Sequence, residues 1–176
     1  MGIDVAPAVI DWLRENYGSK LPNFDFVLLD ARGTKYNRKG SVDPANVQLP
    51  FADASFDVAC AFAVFMHMSL DGIRNYLAEL SRVLHPGGSL LVTFNAIWED
   101  EDEPEHRGRR YESLGGGLYT RQPDKQNASM GHHVTLIREL LADAGLELLE
   151  EVRGQWHATG VSAHAHGSDL FALRRP

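Results

Sequence analysis

The stretch from Phe56 to Phe94 constrains the fold most. An apolar run, Phe56 to Phe62, is followed by Ile73, Tyr76, Leu77, Leu80, Val83 and Leu84 at helical spacing, and then by Ser89 to Phe94, apolar again. The spacing predicts a helix over Leu70–Leu84, with Asp71 as its cap and Pro86-Gly87-Gly88 as its end. A strand, a helix and a strand in that order demand a crossover connection. Such crossovers are right-handed and leave the two strands parallel. The chain is therefore expected to be an α/β protein, with Leu70–Leu84 covering one sheet.

The flanks extend the pattern. Pro7 to Tyr17 reads as a helix, with Ile10, Leu13 and Tyr17 on one face and Gly18 at the exit. Phe24 to Asp30 (Phe-Asp-Phe-Val-Leu-Leu-Asp) reads as a buried strand, parallel to Phe56–Phe62 and Ser89–Phe94 in the same sheet. Ala31 to Gln48, with Gly33, Gly40 and Pro44, reads as a long loop. Trp98 to Gly131 reads as an irregular insertion or cap within a single domain, 1–176; Gly115-Gly116-Gly117 gives it slack. Thr135 to Ala144 is a helix stopped by Gly145. Leu146–Val152 and Asp169–Leu173 are closing strands. Apolar strands alternating with helices imply a mainly parallel sheet with helices on both faces.

Composition removes several classes. A net charge of −7 argues against a broad nucleic-acid-binding face, leaving at most a local basic patch around Arg107, Arg109 and Arg110. No apolar run reaches membrane-spanning length, and no basic segment followed by an apolar one opens the chain. The lone Cys60 cannot form an internal disulfide. These features fit the cytoplasm.

Motifs go further than periodicity. Leu-Pro-Phe-Ala-Asp-Ala-Ser-Phe-Asp-Val from Leu49, then Phe-Met-His-Met from Phe65, then Tyr-Leu-Ala-Glu-Leu-Ser-Arg-Val-Leu-His-Pro-Gly-Gly-Ser-Leu-Leu-Val-Thr-Phe ending at Phe94 follow one another. In this order and spacing they resemble the second half of a class I S-adenosylmethionine-dependent methyltransferase. Gly2-Ile3-Asp4-Val5-Ala6 resembles the end of that family's second strand, and Leu136 to Leu173 its tail. The resemblance implies a Rossmann-like fold, S-adenosylmethionine as cofactor and a small-molecule methyl acceptor as partner.

It also implies roles. Asp4 matches the acidic residue that receives both ribose hydroxyls; a carboxylate offers two acceptor oxygens to the two donors of a diol. The alternative is a carboxylate favoured by the start of a helix. Val5 would pack on adenine. Asp30 matches the contact to the adenine amino group, with Ala31 beside it; the alternative is a turn-forming Asp. Ala61 and Phe62 would lie beneath the methionine part. Ligands of open α/β sheets bind at the carboxyl ends of strands, where all six fall. His67 could serve as a general base, its unperturbed pKa being near neutrality, or simply pack before the helix. Phe62 and Phe65 also suit core packing.

The family's first strand and glycine-rich loop would precede Gly2, where this sequence has only Met1. The expected sheet therefore lacks its usual first strand. A late gene start, a deliberate fragment or a degraded paralogue would each give this pattern. The slot between Gly2–Val5 and Phe56–Phe62 is expected to be filled by Phe24–Asp30 moving inward, or by a second copy in a homodimer. A non-catalytic, methyltransferase-like binding module is the competing function. A nicotinamide-dependent oxidoreductase shares the fold but fits Leu49–Phe94 poorly.

Other residues point to structure. His132-His133 suit capping or exposure. His157, His164 and His166 have no cysteine or acidic partner at a metal-site spacing, so no metal is expected. Gly115-Gly116-Gly117 does not join a strand to a helix and is no phosphate loop. Glu99 to Glu105 reads as a solvated acidic loop. Cys60, among apolar neighbours, reads as a small buried hydrophobe.

Overall fold

A computed structural model describes residues 1–33, 36–101, 104–106, 109–125, 128–154 and 168–176. In chain order they form β1 (Gly2–Asp4), α1 (Pro7–Leu13), β2 (Phe26–Leu28), β3 (Phe56–Ala61), α2 (Leu70–Val83) and β4 (Leu84–Phe94). Then follow β5 (Ala96–Ile97), β6 (Glu105–His106), β7 (Arg109–Arg110), β8 (Glu112–Gly115), β9 (Leu118–Thr120), β10 (Met130–His133), α3 (Val134–Asp143), β11 (Glu147–Val152) and β12 (Asp169–Arg174).

The main sheet has the order β11-β12-β4-β3. β3 and β4 are parallel, as the crossover demanded, and α2 is that crossover. β12 runs antiparallel to both β4 and β11, so the sheet is mixed and its parallel part is confined to β3–β4. Side chains alternate across it. One face turns Ala61, Leu90, Val92, Phe94, Phe171 and Leu173 against Ile73 and Leu77 of α2 and Ile137, Leu140 and Leu141 of α3, all buried. Phe94 centres this core, stacked on Phe65 at 4.9 Å and edge-on to Phe171 at 5.7 Å. The opposite face is uncovered at β3: Val58 is 57% exposed and Cys60 is exposed. Cys60 is thus no buried hydrophobe, because nothing among the described residues packs on its side of the strand.

β2 departs from expectation. It pairs in parallel with β1, not with β3 or β4, in a separate two-stranded sheet. Its place outside β1 is fixed by the Phe26 ring, which lies where a side chain on Gly2 would sit. Arg14 Nε also donates to the Phe26 carbonyl at 2.9 Å. Phe24–Asp30 therefore does not move into the slot beside β3. The first helix is α-helical over Pro7–Leu13 and continues as a wider π-type turn over Arg14–Gly18, so helical backbone covers the expected Pro7–Tyr17.

Three further differences have local causes. Ser69, not Asp71, caps α2, its Oγ accepting from the Gly72 N–H at 3.2 Å; Asp71 sits in the first turn, 3.2 Å from Arg74. The helix stops at Val83, and Pro86-Gly87-Gly88 lies inside β4 opposite a register shift between Phe56 and Val58. The 98–131 stretch carries ordered strands, and β5-β10-β9-β8 form a second four-stranded sheet. Gly115, Gly116 and Gly117 turn the β8–β9 hairpin with φ of +82°, +59° and +77°, values that only glycine adopts without strain.

The acidic run is partly neutralised. Arg138 meets Glu99 at 2.6 Å, and Arg153 meets Asp100 at 2.9 Å and Glu101 at 2.7 Å. Arg107, His157, His164 and His166 lie outside the described residues, as does the Arg109 side chain. No helix among the described residues is long and apolar enough to cross a membrane.

Candidate functional site

A cavity of about 830 Å³ opens between β1 and β3. Each of these strands has a single pairing partner among the described residues, β2 and β4 respectively, so each presents an unpaired edge. Both strands line the cavity, and their carboxyl ends supply Asp4, Val5, Ala61 and Phe62. Ala31 and His67 complete the wall from the loops after β2 and β3. The structure thus gathers six of the seven expected site residues around one space.

Asp4 ends β1. Its Oδ1 accepts the Ala6 N–H at 2.7 Å, which shapes the turn into α1. Oδ2 has no partner among the described residues. One oxygen therefore orients the carboxylate while the other remains for a donor from outside, so the turn-forming and ligand-binding readings are compatible.

Asp30 stands apart from the cavity lining. Its carboxylate accepts both the Ser41 hydroxyl and the Ser41 N–H, the latter at 3.2 Å. The Ser41 hydroxyl holds its pKa below the usual carboxylate value, with the N–H adding to the effect. That clamp positions Ala31, which bridges Val42 in parallel. Gly40 passes so close that a side chain there would sit 2.5 Å from the Ala31 carbonyl. Only glycine allows this approach, so Gly40 helps seat Ala31 at the cavity.

Phe62 is 56% exposed and faces the cavity, whereas Phe65 is completely buried in the core. Between them Ala63 has φ +56°, a left-handed value uncommon for alanine, and its N–H donates to Thr93 Oγ1 at 2.9 Å. This bend separates the two phenylalanines, one outward and one inward. His67 packs edge-on against Tyr36, ring centroids 5.8 Å apart. Tyr36 and Arg32 were missed because they lie in a stretch without periodicity. Tyr76, also at the wall, was assigned only to the helix face; burial pushes its hydroxyl up to about 12, so it stays protonated near neutrality.

The Leu-Pro-Phe turn forms the far wall through Leu49 and Phe51. Arg82 of α2 donates to the Leu49 carbonyl at 3.1 Å and the Phe51 carbonyl at 2.9 Å, and Glu79 accepts the Leu49 N–H at 2.7 Å. No group of three or more metal-ligating side chains occurs among the described residues.

Comparison with known proteins bears on this arrangement. The profile of a family described as methyltransferase domain matches residues 1–92. The O-methyltransferase resE of Aspergillus sclerotiorum is 31% identical over 149 residues, covering 85% of this chain and 46% of that protein. The chain therefore spans less than half the length of this curated relative. Among solved structures, the [4+2]-cyclase SpnF superposes with a TM-score of 0.61 at 21% identity, covering 99% of this chain and 66% of the other. The 1,6-didemethyltoxoflavin-N1-methyltransferase of Burkholderia thailandensis, solved with S-adenosylhomocysteine, gives 0.53 at 17% identity, covering 98% and 59%. At these identities the structural likeness establishes the Rossmann-like fold.

Proposed function

The chain belongs to the methyltransferase-domain family, and we propose that its β1–β3 cavity binds S-adenosylmethionine for methyl transfer to a small-molecule oxygen acceptor. The observation that carries this reading is the convergence of Asp4, Val5, Ala31, Ala61, Phe62 and His67 on one cavity at the carboxyl ends of β1 and β3. The oxygen acceptor is suggested by the name of the related O-methyltransferase.

The residues present fit the cofactor. Asp4 Oδ2 would accept from the ribose diol while Oδ1 stays on Ala6. Val5 and Ala31 supply apolar surface for adenine, and Ala61 and Phe62 for the methionine part. When bound, S-adenosylmethionine supplies a methyl group activated on a sulfonium. The protein's share is positioning and water exclusion. His67 would accept the proton of an acceptor hydroxyl where that proton must be lost.

Calorimetric titration with S-adenosylmethionine tests the reading. Asp4→Ala should weaken binding by about 1.5–3 kcal/mol, the usual worth of hydrogen bonds to a charged group. Unchanged affinity would reduce Asp4 to its turn-forming role.

A second reading, a domain that acts by binding a partner, is favoured by the unpaired edges of β1 and β3. A strand entering between them would pair with both and join the two sheets. If the strand came from a second copy, sedimentation would give a dimer; a monomer at all concentrations would exclude that source.

A further inference from the structure

Arg121, just after β9, carries a charge that no carboxylate among the described residues meets. Arg74, Arg82, Arg138, Arg153 and Arg174 each lie within 3.2 Å of a carboxylate. Arg121 has no carboxylate partner among the described residues. Its Nη2 donates to Ser129 Oγ at 3.1 Å, its guanidinium carbon lies 5.5 Å from the Tyr111 ring centroid, and its Nε is buried without a partner. A buried guanidinium N–H without an acceptor is costly unless a ligand completes it. Ser129, which holds it, has φ +52°; such strain in a non-glycine residue persists where the surroundings enforce it.

Asn95, Tyr111 and Arg121 do not line the β1–β3 cavity, but Asn95 and Met66 connect the cluster to residues that do. Tyr111 is buried, and its Oη accepts from Asn95 Nδ2 at 3.1 Å. Asn95 Nδ2 also donates to the Met130 carbonyl at 3.2 Å and lies 3.9 Å from Met66 Sδ. Asn95 directly follows β4. Because β3 and β4 are parallel, it emerges at the same rim as Ala61 and Phe62. Met66 sits between Val64 and His67, which both line the cavity. Behind Asn95, the His132 N–H donates to the Asn95 carbonyl at 2.9 Å, while its completely buried ring packs edge-on to Phe94 of the core, 5.6 Å between centroids. Asp169, the nearby carboxylate that also acts on Tyr111, is itself engaged by the Ala96 N–H, the Trp98 Nε1–H and the Gly154 N–H.

We infer that the Asn95–Tyr111–Arg121 cluster anchors the methyl acceptor and selects one bearing an anionic oxygen, a carboxylate or a phenolate, for Arg121 to pair with. This rests on the methyl-transfer reading above. A planar guanidinium suits such oxygens because it can donate two parallel N–H groups.

The test uses three small probes on the cofactor-free protein: benzoate, 4-nitrophenolate, and benzamide as the uncharged control. Binding is followed by NMR through the Arg121 Nε–H and the Tyr111 amide. At least one anion should shift both signals, and comparison of benzoate with 4-nitrophenolate says which oxygen is preferred. Benzamide should shift neither. Arg121→Gln should weaken anion binding at least about tenfold, and Arg121→Lys should retain part of it. Equal binding of benzamide and benzoate, or anion binding indifferent to Arg121→Gln, would overturn the inference. Anion shifts at Arg121 together with no response to S-adenosylhomocysteine at Asp4 would uphold the anion site while removing the methyl-transfer reading.

Discussion

Glu79 and Arg82, one helical turn apart on α2 and 2.8 Å from each other, hold both backbone polar groups of Leu49: Glu79 accepts its N–H and Arg82 donates to its carbonyl. The pair is partly buried, and Arg82 also holds Phe51 and Asp53. Arg82 thereby converts the Leu-Pro-Phe motif into a fixed wall of the cavity. Arg82→Met should destabilise the fold by about 2–3 kcal/mol, because it leaves Glu79 without its cation and two carbonyls without a charged donor. Urea denaturation checks this. The hydrogen bond from Arg82 holds the Glu79 pKa below its ordinary value. Its contribution is therefore present above about pH 4.3 and is lost as pH falls below that value through the lowered one.

His132 makes the opposite demand on the protein. Burial pushes its imidazole down to about 4, while in the unfolded chain it titrates near 6.5. The unfolded state binds the proton first, so stability present above about pH 6.5 is lost as pH falls toward 4. The loss is on the order of 3 kcal/mol. His132→Leu should flatten this dependence. Urea midpoints at pH 7 and pH 5 for both proteins measure it, and an equal slope in the variant would contradict it.

Asp169 ties the two sheets together. Its carboxylate, completely buried, accepts from the Ala96 N–H at 2.8 Å, the Trp98 Nε1–H at 3.0 Å and the Gly154 N–H at 3.0 Å. Trp98 in turn stacks on Phe171, 6.4 Å between centroids. Asp169→Ala leaves three donors without an acceptor and should cost about 3–5 kcal/mol. The near-ultraviolet circular dichroism of Trp98 should weaken with it.

The elements legible in the sequence are those with an apolar period. α2 and α3 each repeat their buried residues at helical spacing, and β3 and β4 flank a connection that permits one direction only. β8 was hidden because all four of its residues are exposed, so no alternation marks it. The burial of His132 left no alternating signal, because Met130, Gly131 and His132 are all buried in β10 between β5 and β9. Of the cavity lining, Asp4, Ala61 and Phe62 were singled out by the family resemblance of their strand ends, not by any apolar period. Arg32 and Tyr36 were not, because their loop is shaped by the Asp30–Ser41 clamp and the close passage of Gly40. Arg121 left no local signal: the absence of a carboxylate beside it among the described residues is a property of the folded neighbourhood.

The occupant of the β1–β3 cavity is tested most directly by an NMR titration of the isotope-labelled chain with S-adenosylhomocysteine, which detects binding even when it is weak. Shifts are expected at the amides of Asp4, Val5 and Ala31 on one side and of Ala61 and Phe62 on the other, reduced together by Asp4→Ala. Shifts that avoid these residues, or a spectrum unchanged at saturating ligand, would contradict that expectation.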